Sequence, residues 1–285
     1  MLGKLLADIW TLSELPTTTA TAGGGVSNIL NTHAKRYDIG FSVTSLLGAA
    51  LKGEADFKGR AVNNAVIMTN LYSQYTYFII RKDYAVKNKI NSVEDIIEKK
   101  LTPRFATLRP GTSSEFIIKA LFEKAWGLDY KKIFQVQYES YESGASLLVN
   151  NHLDCFAFSV GKVAPIISSI EDKIDIVFLS VGQDALNKLS ESYGTVTLEI
   201  QPGIYKSLPQ GQAPIKTVGD YTCLVVRKDL PEDLVYELNK MIWEKQYDLA
   251  LEVPDLSELA PAMALPEKIP AHEGSVKFWS EFFNN

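Results

Sequence analysis

The sequence predicts an α/β protein of two lobes, each a mostly parallel sheet flanked by helices, joined by a two-strand hinge. At 285 residues the chain is long for one hydrophobic core, and β-branched runs alternate with helical patterns along it. The run Phe78–Tyr84 (FIIRKDY) also returns as Leu224–Leu230 (LVVRKDL). Two strands with the same Arg-Lys-Asp turn fit a chain that leaves one lobe and re-enters it through neighbouring strands. The alternative is coincidence, because apolar strands followed by charged turns are common.

The predicted first lobe begins with an amphipathic helix that ends near Pro16. Its apolar residues follow helical spacing: Leu2, Leu5, Leu6, Ile9 and Trp10. Thr-rich and β-branched runs then predict strands, and apolar stretches of helical period predict helices. The predicted order is a strand at 17–22, a helix at 26–35, a strand at 38–44, a helix to about 51, and strands at 65–68 and 78–80.

The alternation restarts after Asp83 and predicts a second, small α/β lobe. Its predicted strands are 104–108, 134–138, 155–159 and 174–179, and its predicted helices are 115–126, 143–150 and 164–170. A Gly- and Pro-rich stretch leads to the second Arg-Lys-Asp strand, and Pro231 opens a long amphipathic helix. We therefore assign residues 1–83 and 205–285 to lobe 1 and residues 84–204 to lobe 2.

Composition and charge narrow the class of protein. The chain has 46% hydrophobic and 22% charged residues, which is typical of a globular domain. A net charge of −5 and a pI near 5.4 argue against nucleic acid or an anionic membrane as the main partner. Cys155 and Cys223 lie in apolar runs, which predicts buried side chains. Whether these two cysteines pair stays open at this point.

One local arrangement recurs in both predicted lobes: a strand, a turn of small residues, and the start of a helix. It occurs at Ala22–Gly25, at Thr44 and Ser45, at Thr112–Ser114 and, more loosely, at Tyr141–Ser143. Helix N-termini carry unpaired N–H groups and a partial positive charge, so several of them facing one cleft would suit a carboxylate ligand. The alternative at each position is an ordinary N-cap.

Arg109 is the charged residue of most interest. It immediately precedes the turn Pro110–Ser114, where its guanidinium could form a bidentate pair with a ligand carboxylate. The alternative is a solvated loop arginine.

Sequence signals for catalysis and for cofactors are weak. His33, His152 and His272 lack metal-ligand spacing, and neither a Gly-x-Ser-x-Gly nor a phosphate-binding Gly-Lys-Ser/Thr motif occurs. We therefore expect no enzymatic activity, no metal and no cofactor. We expect His272 to anchor the C-terminal segment through a hydrogen bond. An enzyme that uses Ser113 or His272 is a weaker alternative, because no second catalytic partner can be named.

Motifs along nearly the whole chain resemble those of the TAXI family, the extracytoplasmic solute receptors of TRAP transporters. They are 21–29 (TAGGGVSNI), 38–41 (DIGF), 110–114 (PGTSS), 201–205 (QPGIY), 224–230 (LVVRKDL) and 269–279 (IPAHEGSVKFW). The resemblance implies a type II periplasmic-binding-protein fold and a receptor without catalysis. Such a receptor captures a small carboxylate or amino acid, glutamate- or glutamine-like or a dicarboxylate, in a cleft between the lobes.

The same resemblance implies the partners, the location and the ligand contacts. The partners would be a small anionic or zwitterionic ligand and the membrane subunits of a TRAP transporter, and the receptor would be a periplasmic or extracytoplasmic monomer. The implied ligand contacts are Gly24, Gly25, Thr44 and Ser45 in lobe 1, and Thr112, Ser113 and Ser114 in lobe 2, with Tyr141 and Gly161 near the rim. We add Arg109 to these candidate ligand contacts because its guanidinium could pair with a ligand carboxylate.

The sequence also departs from that family. The sequence as given shows no export leader, and the resemblance implies that a first strand and its ligand-contacting turn are missing as well. That strand would lie between those predicted at 17–22 and 38–44, so we expect unpaired strand edges there. Truncation, a mis-assigned start and a degenerate paralogue stay open as explanations, as does a small-molecule-sensing effector domain on the same fold.

Overall fold

The computed structural model describes residues 2–12 and 19–283 of the chain. In chain order its helices are α1 (Leu2–Leu12), α2 (Gly25–His33), α3 (Thr44–Lys52), α4 (Lys82–Asn88), α5 (Val93–Glu98), α6 (Ser113–Leu121), α7 (Tyr130–Ile133), α8 (Tyr141–Val149), α9 (Pro165–Glu171), α10 (Gln183–Tyr193), α11 (Glu232–Glu244), α12 (Gln246–Glu252), α13 (Pro261–Ala264) and α14 (Glu273–Ser280). Its strands are β1 (Ile39–Val43), β2 (Ala65–Arg81), β3 (Arg104–Thr107), β4 (Gln135–Tyr138), β5 (Cys155–Val160), β6 (Ile176–Phe178), β7 (Val196–Ile200) and β8 (Ile215–Arg227).

The chain divides into two compact units. Unit 1 comprises Met1–Ser73 and Tyr221–Asn285, and unit 2 comprises Gln74–Asp220. Residues 74–83 and 205–220, which the sequence analysis placed with lobe 1, therefore lie in unit 2. Strands β2 and β8 each run from one unit into the other.

Unit 1 is built on a sheet in which β8 lies between β1 and β2. β1 pairs antiparallel with β8, from Ile39 opposite Val226 to Val43 opposite Thr222. Apolar residues of α1, α11 and α14 form the core on one side of this sheet, including Leu6, Trp10, Leu238, Ile242, Phe278 and Trp279. The indole N–H of Trp10 donates to the carbonyl of Leu238 (3.3 Å) and so fixes α1 against α11.

Helix α2 packs on the other face of β1, and a glycine makes that close approach possible. A Cβ atom on Gly40 would lie 2.9 Å from the Cβ atom of Asn28 and 3.2 Å from Oγ1 of Thr32. The Asn28 side-chain amide donates to the carbonyl of Phe41 (2.8 Å), which ties α2 to the strand. β1 therefore lies between a helix layer on each face.

Unit 2 has a mixed sheet. β3 pairs in parallel with both β4 and β5, whereas β5 and β6 pair antiparallel with β2, and β7 pairs antiparallel with β8. The core is rich in aromatic residues, among them Tyr77, Phe156, Phe158, Phe178 and Tyr205. The expected parallel pairing thus holds for β3, β4 and β5. β2 pairs antiparallel with β5 and β6, and β8 pairs antiparallel with β1 and β7, so the described pairings are mixed rather than mostly parallel, which corrects that part of the sequence-based prediction.

Two sequence-based predictions of secondary structure were wrong, and two elements were missed. Residues 19–22 form no strand, and all four are exposed, so they bury no side chains against a sheet; 17 and 18 lie outside the described residues. The strands predicted at 65–68 and 78–80 are one 17-residue strand, β2, whose polar middle looked like a break. Helix α10 and strand β7 were not predicted, because α10 is strongly polar on its exposed side.

The repeated Arg-Lys-Asp turn has the same ion pair in both places. β2 ends at Arg81, whose guanidinium lies 3.1 Å from the Asp83 carboxylate. β8 ends at Arg227, whose guanidinium lies 3.1 Å from the Asp229 carboxylate. β8 and β2 are also neighbours in the strand order, as the repeat predicted.

Candidate functional site

In unit 1 the predicted site residues begin two helices. Gly24 is the N-cap of α2, and Gly25 is its first residue. The Gly24 N–H donates to the Ser27 hydroxyl (3.0 Å), which in turn donates to the Gly24 carbonyl (3.0 Å). The turn is therefore closed by its own residues, and one of the first N–H groups of α2 already has a partner.

Thr44 and Ser45 are the first two residues of α3, directly after β1, and both are buried. The Thr44 hydroxyl donates to the side-chain oxygen of Asn70 (2.7 Å). The Asn70 amide then donates to the carbonyl of Met263 (2.9 Å). Thr44 thus holds the start of α3 in a buried polar network, and the sequence analysis did not identify Asn70. The sequence signal that could have identified Asn70 is its position as a polar residue inside the otherwise apolar stretch 65–71 (AVIMTNL).

In unit 2 the loop between β3 and α6 and the first two residues of α6 together carry four of the predicted residues. Thr112 is the N-cap of α6: its hydroxyl accepts from the Glu115 N–H (3.2 Å) and donates to the Arg109 carbonyl (2.8 Å). Gly111 has φ +87°, which a side chain would strain. The Arg109 side chain is exposed and makes no ion pair with any residue that the structure describes. Ser113, the first residue of α6, is half-buried.

Ser114 is buried, and its hydroxyl makes the hydrogen bonds to β5 that a neighbouring strand would otherwise make. Its hydroxyl accepts from the Ser159 N–H (3.0 Å) and donates to the Ser159 carbonyl (3.2 Å). β3 pairs with β5 only at Phe105 and Ala106, opposite Cys155 and Phe156. The backbone of Ser159 therefore depends on this side chain for its hydrogen bonds.

Tyr141 and Gly161 meet the same end of β5. The Tyr141 hydroxyl, at the start of α8, donates to the Ser159 carbonyl (2.9 Å). The Tyr77 hydroxyl donates to the carbonyl of Lys162 (2.6 Å), next to the buried Gly161. The structure thus brings Ser114, Tyr141 and Gly161 together at the carboxyl end of β5, beside the starts of α6 and α8. Ligands of open α/β sheets bind outside the carboxyl ends of the strands.

The start of α6 also carries a buried carboxylate. Glu115 is 2% exposed, and the Tyr130 hydroxyl donates to its Oε1 atom (2.6 Å). Burial and this carboxylate raise the pKa of Tyr130, so Tyr130 remains a neutral donor. Negative charge in the first turn interacts favourably with the helix end and reduces the positive potential that α6 offers to an anion. The exposed Arg109 is the cation that adjoins this turn in the sequence.

His272 has a structural position in unit 1. It is the N-cap of α14: its Nδ1 atom accepts from the Gly274 N–H (3.2 Å), so its Nε2–H donates to the Leu230 carbonyl (3.1 Å). Burial lowers the pKa of His272, which favours the neutral ring that this geometry requires. The predicted hydrogen-bonded anchor is confirmed, since both ring nitrogens contact the backbone.

The structure holds both cysteines as buried free thiols, and burial raises the pKa of Cys155. Among residues 2–12 and 19–283, no group of three His, Cys, Asp or Glu side chains could hold a metal ion. No helix in the same ranges has both the length and the apolar character required to cross a bilayer.

The model of the NMT1-like family matches residues 1–282. The chain belongs to the NMT1-like family. Solved structures with a similar fold include MatC from Rhodopseudomonas palustris with bound malate, at 15% identity and a TM-score of 0.54, covering 99% of this chain and 91% of that one. A TctC solute-binding protein from Polaromonas matches at 16% identity and a TM-score of 0.51, covering 99% and 92%.

A third similar structure is XAC2383 from Xanthomonas citri bound to ATP, at 11% identity and a TM-score of 0.54, covering 98% of this chain and 89% of that one. At such low identities these likenesses show the fold alone. They confirm the predicted α/β fold class.

Proposed function

We propose that this member of the NMT1-like family is a solute-binding receptor that captures a small carboxylate or amino acid for a membrane transporter, and that it is not an enzyme. The observation that carries the proposal is the arrangement at the carboxyl ends of β3 and β5. There the starts of α6 and α8, the half-buried Ser113 and the exposed Arg109 adjoin one strand end. Such groups hold an anion by hydrogen bonds and charge, without a chemical step.

The class of ligand follows from the donors and from the similar structures. Backbone N–H groups at helix starts and a guanidinium all donate, so their common partner is an acceptor with negative charge. MatC was solved with malate, a dicarboxylate, and the TctC protein is described as a solute-binding protein. In unit 1 we assign the matching contacts to the starts of α2 and α3, at Gly24, Gly25, Thr44 and Ser45. Because the Thr44 hydroxyl already donates to Asn70, the backbone N–H groups at the start of α3 rather than this hydroxyl would serve the ligand.

The finer assignment rests on the motif resemblance to the TAXI family. On that assignment the membrane partner is a TRAP transporter and the receptor works outside the cytoplasm as a monomer. Glutamate, glutamine and dicarboxylates are the first candidate ligands.

Calorimetric titration of Arg109 variants tests whether Arg109 binds the ligand carboxylate. Arg109→Ala removes a charged hydrogen bond of about 2 kcal/mol or more, so the Kd for the carboxylate ligand should rise about 30-fold. Arg109→Lys keeps the charge without the bidentate geometry, so its Kd should lie between those of the unaltered chain and Arg109→Ala. Arg60→Ala, which removes an arginine exposed in unit 1, is the matched control and should leave the Kd unchanged. An unchanged Kd in Arg109→Ala would return Arg109 to an ordinary loop arginine and remove the main support for this site.

A further inference from the structure

The starts of α6 and α8 converge on one backbone atom of unit 2. The Ser159 carbonyl, near the end of β5, accepts from the Ser114 hydroxyl (3.2 Å) and from the Tyr141 hydroxyl (2.9 Å). Ser114 is the second residue of α6, and Tyr141 is the first residue of α8. Groups that adjoin these two first turns therefore lie around one point at the carboxyl end of the sheet.

The two helices reach this point from opposite faces of the sheet. The Tyr138 hydroxyl lies 3.0 Å from that of Tyr130, which donates to Glu115 of α6 (2.6 Å). The next residue along the chain, Glu139, instead accepts from the hydroxyl of Ser143 in α8 (2.6 Å). Because successive side chains of a strand point to opposite faces, α6 and α8 cover different sides of β4 at its carboxyl end.

Glu139 is placed beside the end of β3 by the backbone. Its N–H donates to the Thr107 carbonyl (2.9 Å), which continues the hydrogen bonding with β3 past the last residue of β4. Arg109 lies two residues after Thr107, and its carbonyl accepts from Thr112, the N-cap of α6. Neighbouring strands are about 4.8 Å apart, so a cation on the α6 side and a carboxylate on the α8 side flank the end of β3.

The Glu139 carboxylate is held in position but lacks a counter-charge. It is half-buried, and among the described residues its hydrogen bond comes from the Ser143 hydroxyl, with no cationic side chain paired to it. A carboxylate offers about four acceptor positions, and one hydroxyl uses one of them. A partly desolvated carboxylate is stabilised most by a cationic hydrogen-bond donor. An ammonium group of a ligand has both properties.

We propose that the solute carries an ammonium group beside its carboxylate and that Glu139 binds this ammonium. Arg109 pairs with the carboxylate on the α6 side, and Glu139 pairs with the ammonium on the α8 side. Arg109 and Glu139 do not pair with each other in the structure, so both charges can serve the ligand. The ligand is thus an amino acid rather than a carboxylic acid that has no amino group. This inference rests on the proposed solute site and names its ligand class.

The test compares amino acids with the same molecules lacking the ammonium, by calorimetric titration of the full chain. The pairs are L-glutamate with glutarate, L-aspartate with succinate, and L-alanine with propanoate. We expect at least one amino acid to bind with a Kd lower than that of its partner by about tenfold or more, the effect of one charged hydrogen bond. If no compound that binds shows this preference, the ammonium contact is overturned while the solute site stands. If none of the six compounds binds, both are overturned.

Glu139→Gln isolates the charge of this side chain. Its amide oxygen can still accept from Ser143, so the turn keeps its hydrogen bond, but the negative charge is gone. We expect the Kd of the amino acid to rise about tenfold or more and that of its partner compound to stay unchanged, so the preference disappears. Glu142→Gln, exposed in the same first turn of α8, is the matched control and should keep the preference. A preference that persists in Glu139→Gln would overturn the assignment.

Arg109→Ala separates the two contacts. Both members of each pair keep a carboxylate, so this variant should raise both Kd values by a similar factor and leave their ratio unchanged. Glu139→Gln should change the ratio itself. If Glu139→Gln also raised both Kd values by a similar factor, Glu139 would support the shape of the site rather than select an ammonium, and the proposal would be wrong.

Discussion

Ser114→Ala is the most informative single substitution, because it separates a structural serine from a ligand-binding one. The Ser114 hydroxyl makes two hydrogen bonds to the Ser159 backbone, at 3.0 and 3.2 Å, and the residue is 3% exposed. The Ser159 carbonyl keeps a bond from Tyr141, but its N–H has no substitute once the hydroxyl is gone. A buried N–H left unpaired costs about 1–3 kcal/mol. We therefore expect the free energy of unfolding to fall by about that amount.

The assay is urea unfolding at equilibrium, with Ser113→Ala as the matched control. Ser113 is the neighbouring serine on the same helix, half-buried, and its hydroxyl makes no hydrogen bond with the described residues. Ser113→Ala should change stability by less than about 0.5 kcal/mol. A loss below about 0.5 kcal/mol in Ser114→Ala, equal to that of the control, would refute the idea that Ser114 completes the hydrogen bonding of β5.

Two further predictions concern stability. The lowered pKa of His272 means that its contribution to stability is fully present above its ordinary pKa of 6.5 and is lost as the pH falls below that value toward the lower folded one. The stability advantage of the native chain over His272→Asn, which can still cap α14, should therefore shrink between pH 7.5 and 5, and a constant difference in urea unfolding would contradict this. Gly144→Ala places a Cβ atom 2.5 Å from Cζ of the fully buried Phe156, so it should destabilise the protein by about 1–3 kcal/mol. Glu142→Ala, exposed on the same helix, is the control, and equal effects of the two would show that Phe156 moves freely.

Features with a local cause could be predicted from the sequence. The spacing of Leu2, Leu6 and Trp10 predicted α1, and all three side chains are buried on the face toward the core. The turn before α6 was predicted from Pro110, Gly111 and Thr112, and Thr112 is the N-cap. The Arg-Lys-Asp repeat predicted neighbouring strands because two similar strand ends are visible in the sequence itself.

Features set by distant contacts could not be predicted. The direction of the Ser114 hydroxyl depends on Ser159, 45 residues away, and the pairing of Thr44 with Asn70 spans 26 residues. The unbroken course of β2 depends on neighbouring strands that satisfy a polar middle segment, which hydropathy alone scores as a loop. For the candidate site, the sequence therefore indicated which helix starts carry small polar residues. It did not show which hydroxyls are already used within the fold.

Thermal unfolding of the unaltered chain with matched acids and amides tests the central claim most directly. The pairs are L-malate with L-malamide, succinate with succinamide, and L-glutamate with L-glutamine. If the chain is a receptor for small carboxylates, an acid should raise the melting temperature in proportion to the logarithm of its concentration, by the equivalent of about 2.7 kcal/mol at 100 times its Kd. L-Malamide and succinamide should give no shift. L-Glutamine keeps one carboxylate, so its shift should be no larger than that of L-glutamate. A cooperative transition that no acid moves, or that succinamide moves as far as succinate, would contradict the account.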